Sequence, residues 1–584
     1  MTEFYYHEPS DHLIYRVNDG RIGMYVEGTR DLGAGFVAVP CSLHALQVLR
    51  QLGYPTLAPI ASDYNWPIRR GWRARDHQVT MSNFMALHPK CFNLSDMGTG
   101  KTLSTLWAAD YVMEENPGMR CLIVCPVSVM QRVWADAITT HFLGKRTYRI
   151  LRGSAEKRMK LLAEPADFYI INYEGTVIGA QKTKRKGVVL GGLSAELANR
   201  QDIGIVAVDE ARAYSKDNTW RHRVARAALV QKPYLWMLTG TPMSNGPLDV
   251  HGIARLVNNA KGESFTAYQR RVMYQVSQYK WAPKRGAVEE AYRMLQPSIR
   301  FEMRDCVDVP PCTETMRDVE LSDEQKKAYA KLSRDLVLDL GRGTKITAAH
   351  EAALRLKLIQ ISCGAIYDHH HNVTRLDVSP RLAVLREVIE EAQRKVIIFT
   401  PLTSVVHLLY EALKEYSRAM VNGAVPHGVR DEIFRRFQTE QDPQVIIADP
   451  GCMAHGLDLF AASVVVWFGA TDRSELYFQG NKRIDRPGQT VPTTIVQLAA
   501  TDEEREIYKR ISTNQSLQGL MLSLVKDQTD VRQQLYPDSG GNDRQGQGIG
   551  GTYRGGNGSG YGSPRALPAG GRLPDRSNQT VFAR

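Results

Sequence analysis

Ser95–Thr102 reads SDMGTGKT and lies between an apolar stretch and a helical segment, LSTLWAADYV. Glycines at 98 and 100, with Thr99 between them, let a backbone curl until its N–H groups face phosphate oxygens. Lys101 then reaches the β- and γ-phosphates of a bound nucleotide, and the Thr102 hydroxyl ligates Mg2+. A strict phosphate loop has glycine where Ser95 stands, so the competing reading is a chance glycine-rich turn. The GKT that opens a helix argues against it. A second element, IVAVDEAR, is an apolar strand that ends in Asp209 and Glu210. Hydrolysis of a nucleoside triphosphate needs one acid at a strand end to hold Mg2+ and another to orient the attacking water. Asp209 suits the first role and Glu210 the second. Acid pairs after strands are common, and it is the phosphate loop upstream that gives this one its meaning.

These residues need a parallel α/β sheet, whose ligands bind at the carboxyl ends of its strands. From about residue 71 the chain supplies one: LIVCP, YIINY, IVAVDE and YLWMLTG are strand-like runs between helical segments. The alternation weakens between residues 246 and 378, which are charged, helical in period and poor in strands. It resumes with KVIIFT, QVIIAD, SVVVWFG and TTIVQL. The fold class is therefore α/β with two lobes, 71–258 and 379–536, separated by a helical insertion and linker over 259–378. Residues 1–70 read as a small α+β accessory module. LIYRV, the turn Asn18-Asp19-Gly20 and RIGMYV suggest a hairpin. GFVAV is a further strand, and Ser42–Leu52 has helical spacing up to Gly53. Residues 537–584 hold six Arg against three Asp and few bulky apolar side chains, a composition that predicts a disordered tail. Such a tail either holds nucleic acid loosely or is passive.

The chain has 584 residues, 43% of them hydrophobic, and a formal net charge of +12. A basic balance suits a polyanionic partner through counterion release, although many basic soluble proteins have none. None of the eight cysteines forms a CxxC pair, and Cys121 and Cys125 in CLIVC read as strand core. That usage fits a reducing compartment. His369–His371 lack Cys or His partners at ligand spacing, which favours a solvated loop over a metal site. The N-terminus lacks the basic-then-apolar pattern of a signal peptide, and the apolar stretch near 460–470 is too short to span a bilayer. The expectation is a soluble, cytoplasmic protein without a membrane partner.

The order of motifs resembles the Snf-type branch of the superfamily-two helicase-like ATPases, the remodelling-type double-stranded DNA translocases. After the acid pair comes LTGTP (Leu238–Pro242) with Asn245, similar to that branch's third motif. Gln78 in ARDHQ stands where the family reads adenine. Val124–Trp134, VCPVSVMQRVW, resembles the DNA-contacting motif Ia, and VIIFT resembles the first strand of the second lobe. His455–Leu459, HGLDL, resembles motif V. Gln479–Gln489, QGNKRIDRPGQ, matches the motif VI pattern QxxxRxxRxGQ with arginines at 483 and 486. The resemblance covers roughly residues 71–500. It implies two RecA-like lobes and ATP and Mg2+ as cofactors. Gln78, Gly98, Thr99, Gly100, Lys101, Thr102 and Gln479 would bind the nucleotide, with Thr102 and Asp209 on the metal. Arg483 and Arg486 would be delivered across the cleft. It also implies a DNA partner, double-stranded and gripped through phosphates without regard to sequence.

Two departures stand out. The family's acid box is often DEAH, whose histidine helps couple nucleotide state to the second lobe; here Arg212 takes that place. The insertions are short, as in the Snf-type proteins of bacteriophages, and the N-terminal module is weakly similar to that of annealing-type relatives. Arg483 and Arg486 are expected on one helical face, with Pro487-Gly488 ending the helix. Lys182, Lys184, Arg185 and Lys186 either join the DNA track or form a solvated basic loop. Three functions remain open at this point: a duplex translocase, a strand-separating helicase on DNA or RNA, and a non-catalytic nucleic-acid scaffold. The intact Lys101, Asp209, Glu210 and arginine pair argue against the last.

Overall fold

The computed structural model describes residues 4–535 and Thr552–Tyr553, except 8–9, 18–20, 184–186, 278–280, 342–347, 368–371 and 454–458. The turn Asn18–Gly20, the histidine run, Lys184–Lys186, His455–Asp458 and nearly all of the expected tail lie outside the described residues. The chain divides into two compact units, Met1–Pro59 with Gln533–Arg584, and Ile60–Arg532. The division falls before the boundary at residue 70 because Trp66 and Pro67 pack on Trp107: the rings are 4.9 Å apart, and the Trp107 indole N–H donates to the Pro67 carbonyl at 3.0 Å.

In the first unit, His12–Arg16 pairs antiparallel with Phe4–His7 on one side and Phe36–Pro40 on the other. Tyr553 and Thr552 pair with Phe4 and Tyr5. The stretch RIGMYV is not a strand. Arg21–Tyr25 forms a short helix, and GFVAV takes the place expected for it beside LIYRV. Ile22 in that helix and Val26 just past it are buried, one helical turn apart, so both fall on the inward side. The helix Leu43–Gln51 forms as expected, capped by the Ser42 hydroxyl, which accepts from the Ala45 N–H at 3.2 Å.

The second unit carries two all-parallel sheets. The first runs in the order Ser298–Ile299, Lys90–Asn93, Tyr234–Leu238, Ile203–Asp209, Arg120–Cys125, Phe168–Asn172, Tyr148–Ile150. The second runs Cys312–Asp318, Thr493–Ala499, Ala462–Trp467, Lys395–Phe399, Val445–Ala448, Arg418–Val421. Helices cover both faces, which is why the inner strands read as unbroken apolar runs. Cys121 and Cys125 are buried in their strand, as expected. This is the two-lobed RecA-like α/β fold.

Residues 259–378, read from the sequence as an insertion, are shared out between the lobes. Tyr268, Val272, Ala291 and Leu295 join the first core, and Val319, Ile359, Cys363 and Val378 join the second. The same segment gives each sheet an edge strand. The last helix, Asp502–Leu535, spans roughly 50 Å at 1.5 Å per residue. Its early residues Ile507, Tyr508 and Ile511 lie in the second core; Met521, Leu522 and Val525 lie in the first. Its first turn is anchored by Glu504, fully buried, which pairs with buried Arg381 at 2.7 Å.

Candidate functional site

The strand Lys90–Asn93 delivers the phosphate loop, and Gly100 caps the helix Lys101–Glu115 that follows. Gly98 and Gly100 have φ of +87° and +83°, values that side chains resist. At Gly100 a Cβ would collide with the Gln78 amide, which places that glutamine against the loop. Ser95, the departure from the strict pattern, has work of its own: its hydroxyl accepts from the Phe301 N–H at 3.1 Å. Lys101 Nζ donates to the Ser95 and Asp96 carbonyls at 2.7 and 2.8 Å. Thr99 donates to the Asp96 carbonyl at 2.8 Å, and Thr102 is half-buried at the start of the helix.

LTGTP ends the strand between the loop strand and the acid strand. Gly240 lies on the loop backbone, where a Cβ would stand 3.3 Å from the Ser95 carbonyl oxygen. Asp209 ends its own strand with both oxygens engaged. Oδ2 accepts the Trp134 indole N–H at 3.0 Å, and Oδ1 accepts the Glu210 N–H at 3.0 Å. Tyr173 donates its hydroxyl to the Asp209 and Glu210 carbonyls. Glu210 sits at φ +48°, in the left-handed region. Strain of that kind persists where neighbours hold it, and it clusters at functional sites. Its Oε2 is buried and without a hydrogen-bond partner.

Burial is the largest influence on all three charged groups. It pushes the Asp209 and Glu210 carboxyls up and the Lys101 ammonium down, while each acid and the lysine oppose this in one another. Lys101, Asp209 and Glu210 therefore stand close enough to act on one another, with Thr102 next to Lys101 at the start of the helix. Mg2+ binds through one or two carboxylates plus substrate phosphates, and this donor set suits it. Glu210 Oε2, unlike the two Asp209 oxygens, is not spent on a structural hydrogen bond.

The second lobe meets this pocket with the motif VI stretch. A Cβ on Gly98 would stand 3.0 Å from Pro487 Cδ and 3.2 Å from Met303 Sδ. The charge of Arg486 acts on Lys101 and that of Arg483 on Glu210. The expected helix under these arginines is absent. It ends at Asn481, and residues 482–486 are turns, so Pro487-Gly488 does not terminate it. The arginines themselves answer the open carbonyls at its end: Arg483 Nε donates to the Gln479 carbonyl at 3.1 Å and Arg486 Nε to that of Lys482 at 2.8 Å. Gln479 is buried, donates to Glu475 at 3.3 Å, and leaves its own Oε1 without a hydrogen-bond partner.

Motif Ia holds two surprises. Met130–Ala135 is a π-helical turn, a feature often found at functional sites. Trp134 within it is fully buried against the acid pair, whereas Arg132 reaches the surface and pairs with Asp431 of the second lobe. The spacing of motif Ia hints at neither contact. Lys182 stands over the Trp220 ring at 5.5 Å. No described helix is long and apolar enough to cross a membrane.

Two family models match the chain. The SNF2-related domain matches residues 79–363, and the helicase conserved C-terminal domain matches residues 380–488. The protein p41 of Acyrthosiphon pisum secondary endosymbiont phage 1 is 24% identical over 457 residues, covering 74% of this chain and 94% of that one. The chromodomain-helicase-DNA-binding protein 1-like of Danio rerio is 23% identical over 72% of this chain and 40% of its own length. The DNA repair and recombination protein RDH54 of Saccharomyces cerevisiae is 21% identical over 73% and 50%. The chain thus spans nearly all of the phage relative and half or less of the other two. A Sulfolobus solfataricus SWI2/SNF2 ATPase core, solved in complex with dsDNA, covers 80% of this chain and 96% of its own at 21% identity and a TM-score of 0.36.

Proposed function

The chain belongs to the Snf-type helicase-like ATPases of superfamily two, and from that premise we propose that it hydrolyses ATP to move along double-stranded DNA. The observation that carries the reading is the cleft itself. The phosphate-loop glycine Gly98 abuts Pro487 of the second lobe, and Arg486 and Arg483 act on Lys101 and Glu210. Gln78 and the loop backbone hold the nucleotide, Lys101 draws the β- and γ-phosphates, and Glu210 orients the water. Thr102 and Asp209 would hold Mg2+, which neutralises phosphate charge when bound. The arginines bring their planar forks to the transferring phosphoryl group as the lobes close.

The polymer is read through its phosphates, which carry no sequence information. The net charge of +12 and the surface arginine of motif Ia support this, as do relatives whose names include DNA binding and DNA repair. The test is ATP turnover with duplex DNA, single-stranded DNA or RNA, run beside strand displacement. Duplex stimulation without displacement is expected. Arg483→Ala or Arg486→Ala should lower stimulated kcat by roughly 10³–10⁵ while nucleotide affinity changes little. Near-normal turnover in both variants would overturn the two-lobe site, and stimulation by single strands with displacement would favour a strand-separating helicase.

A further inference from the structure

Arg212 occupies the last place of the acid box, in the short turn Ala211–Tyr214 that follows Glu210. Its side chain is 10% exposed and faces two carboxylates from different lobes. Nη1 meets Glu475 in the first turn of the second-lobe helix Ser474–Asn481. Nε lies 3.8 Å from Asp249 Oδ2 of the first lobe. Each carboxylate is tied to a motif. Asp249 Oδ2 accepts the Asn245 N–H, just past LTGTP, at 2.8 Å. Glu475 Oε1 accepts the amide N–H of Gln479, which opens motif VI, at 3.3 Å. One guanidinium thus joins the acid-box turn, the LTGTP turn and the root of the arginine-bearing segment.

We propose that Arg212 and Glu475 form a cross-lobe clasp that positions motif VI over the acid pair, so that lobe closure and nucleic-acid stimulation are transmitted through this ion pair. Arg212 is a positioning residue and touches no phosphate. Arginine suits the role because its fork stays charged and serves two carboxylates at once, while histidine offers two ring nitrogens on a shorter stem. Buried Asp249 attracts the guanidinium from the first-lobe side at 3.8 Å, without a hydrogen bond, while the hydrogen bond itself goes to Glu475. Glu475 is 34% exposed and is the half of the clasp free to leave as the cleft opens. Its charge also acts on Glu210, which places the clasp within reach of the attacking water's site.

The clasp rests on the ATPase reading above, and the experiment separates the two. Full-length wild type, Arg212→Gln, Glu475→Gln and the charge swap Arg212→Glu/Glu475→Arg are assayed for ATP turnover with and without duplex DNA. ATP affinity is measured alongside by equilibrium binding of radiolabelled ATP. The ratio of stimulated to basal kcat should fall at least about tenfold in each single variant, within the 5–150-fold typical of coupling between sites. ATP affinity should change far less than the ratio, by under about threefold, because of the expected nucleotide contacts only Gln479 touches the clasp. The charge swap should recover part of the ratio. Glu475→Gln keeps its shape on a part-exposed side chain and covers the case in which Arg212→Gln fails to fold. A full ratio in Glu475→Gln overturns the clasp and leaves the ATPase reading standing, as does a swap that recovers nothing when it is made together with Asp249→Asn, so that the carboxylate introduced at position 212 does not face a second one. Wild type that no nucleic acid stimulates overturns both.

Discussion

Replacing Trp134 by Phe removes the indole N–H along with part of the ring, and its main consequence follows from where that N–H points. From a fully buried ring it donates to Asp209 Oδ2 at 3.0 Å. A hydrogen bond to a charged group is worth about 1.5–3 kcal/mol. At 1.4 kcal/mol per factor of ten, that is roughly 10–150-fold in any equilibrium that needs Asp209 ionised and aimed. The equilibrium concerned is metal-dependent nucleotide binding. Titrating ATP with and without Mg2+ gives the affinity gained from the metal, and in Trp134→Phe that gain should shrink by at least about tenfold, with kcat falling too. The smaller ring also leaves a void that costs about 1–3 kcal/mol of stability. Ile138→Val, a buried truncation on the next helix, controls for this: it should cost about 0.5–1.5 kcal/mol and leave the metal dependence intact. A Trp134→Phe protein with the full metal-dependent gain would refute the claim that motif Ia aims the metal-binding acid.

Lys101→Ala should abolish turnover while duplex affinity, measured by fluorescence anisotropy, stays near wild type; wild-type turnover would end the phosphate-loop assignment. Asp209→Asn should weaken ATP binding only when Mg2+ is present, whereas Glu210→Gln should bind ATP normally and turn it over very slowly; identical behaviour in the two would refute the division of roles. Arg381→Met strands the buried carboxylate of Glu504 and should destabilise the second lobe by about 3–5 kcal/mol in urea unfolding, because breaking a buried pair leaves an uncompensated charge. Loss of less than 1 kcal/mol would mean that Glu504 finds water or another partner.

Much of the fold is written in local pattern. Buried parallel strands must be apolar at every position, so YIINY, IVAVD, KVIIF and SVVVW announced themselves. The two edge strands within 259–378 did not. Ser298–Ile299 is buried but only two residues long, and Cys312–Asp318 is CTETMRD, mostly exposed. The first is too short to show a run and the second lies open on its outer side, so neither carries one, and residues 259–378 looked like an insertion for that reason. In the first unit, RIGMYV had the apolar content of a strand, but His12–Arg16 found its partner farther along the chain, at Phe36–Pro40. Motif VI was legible as a pattern, but whether it was helical was not: the carbonyls of Gln479 and Lys482 are met by arginine side chains rather than by a further helical turn.

The sequence by itself carried the chemistry we propose. Glycines at a phosphate loop, a lysine, a hydroxyl and two acids after an apolar strand are dictated by what phosphates and a metal ion require, and that requirement is local. Tertiary structure decided how these groups are aimed and joined. Trp134 reaches Asp209 across 75 residues and Arg212 reaches Glu475 across 263. The last helix leaves one core and enters another. Contacts of that kind depend on the packing of whole sheets. A side chain's type says what it can bind, and only the arrangement of distant backbones says what stands within its reach.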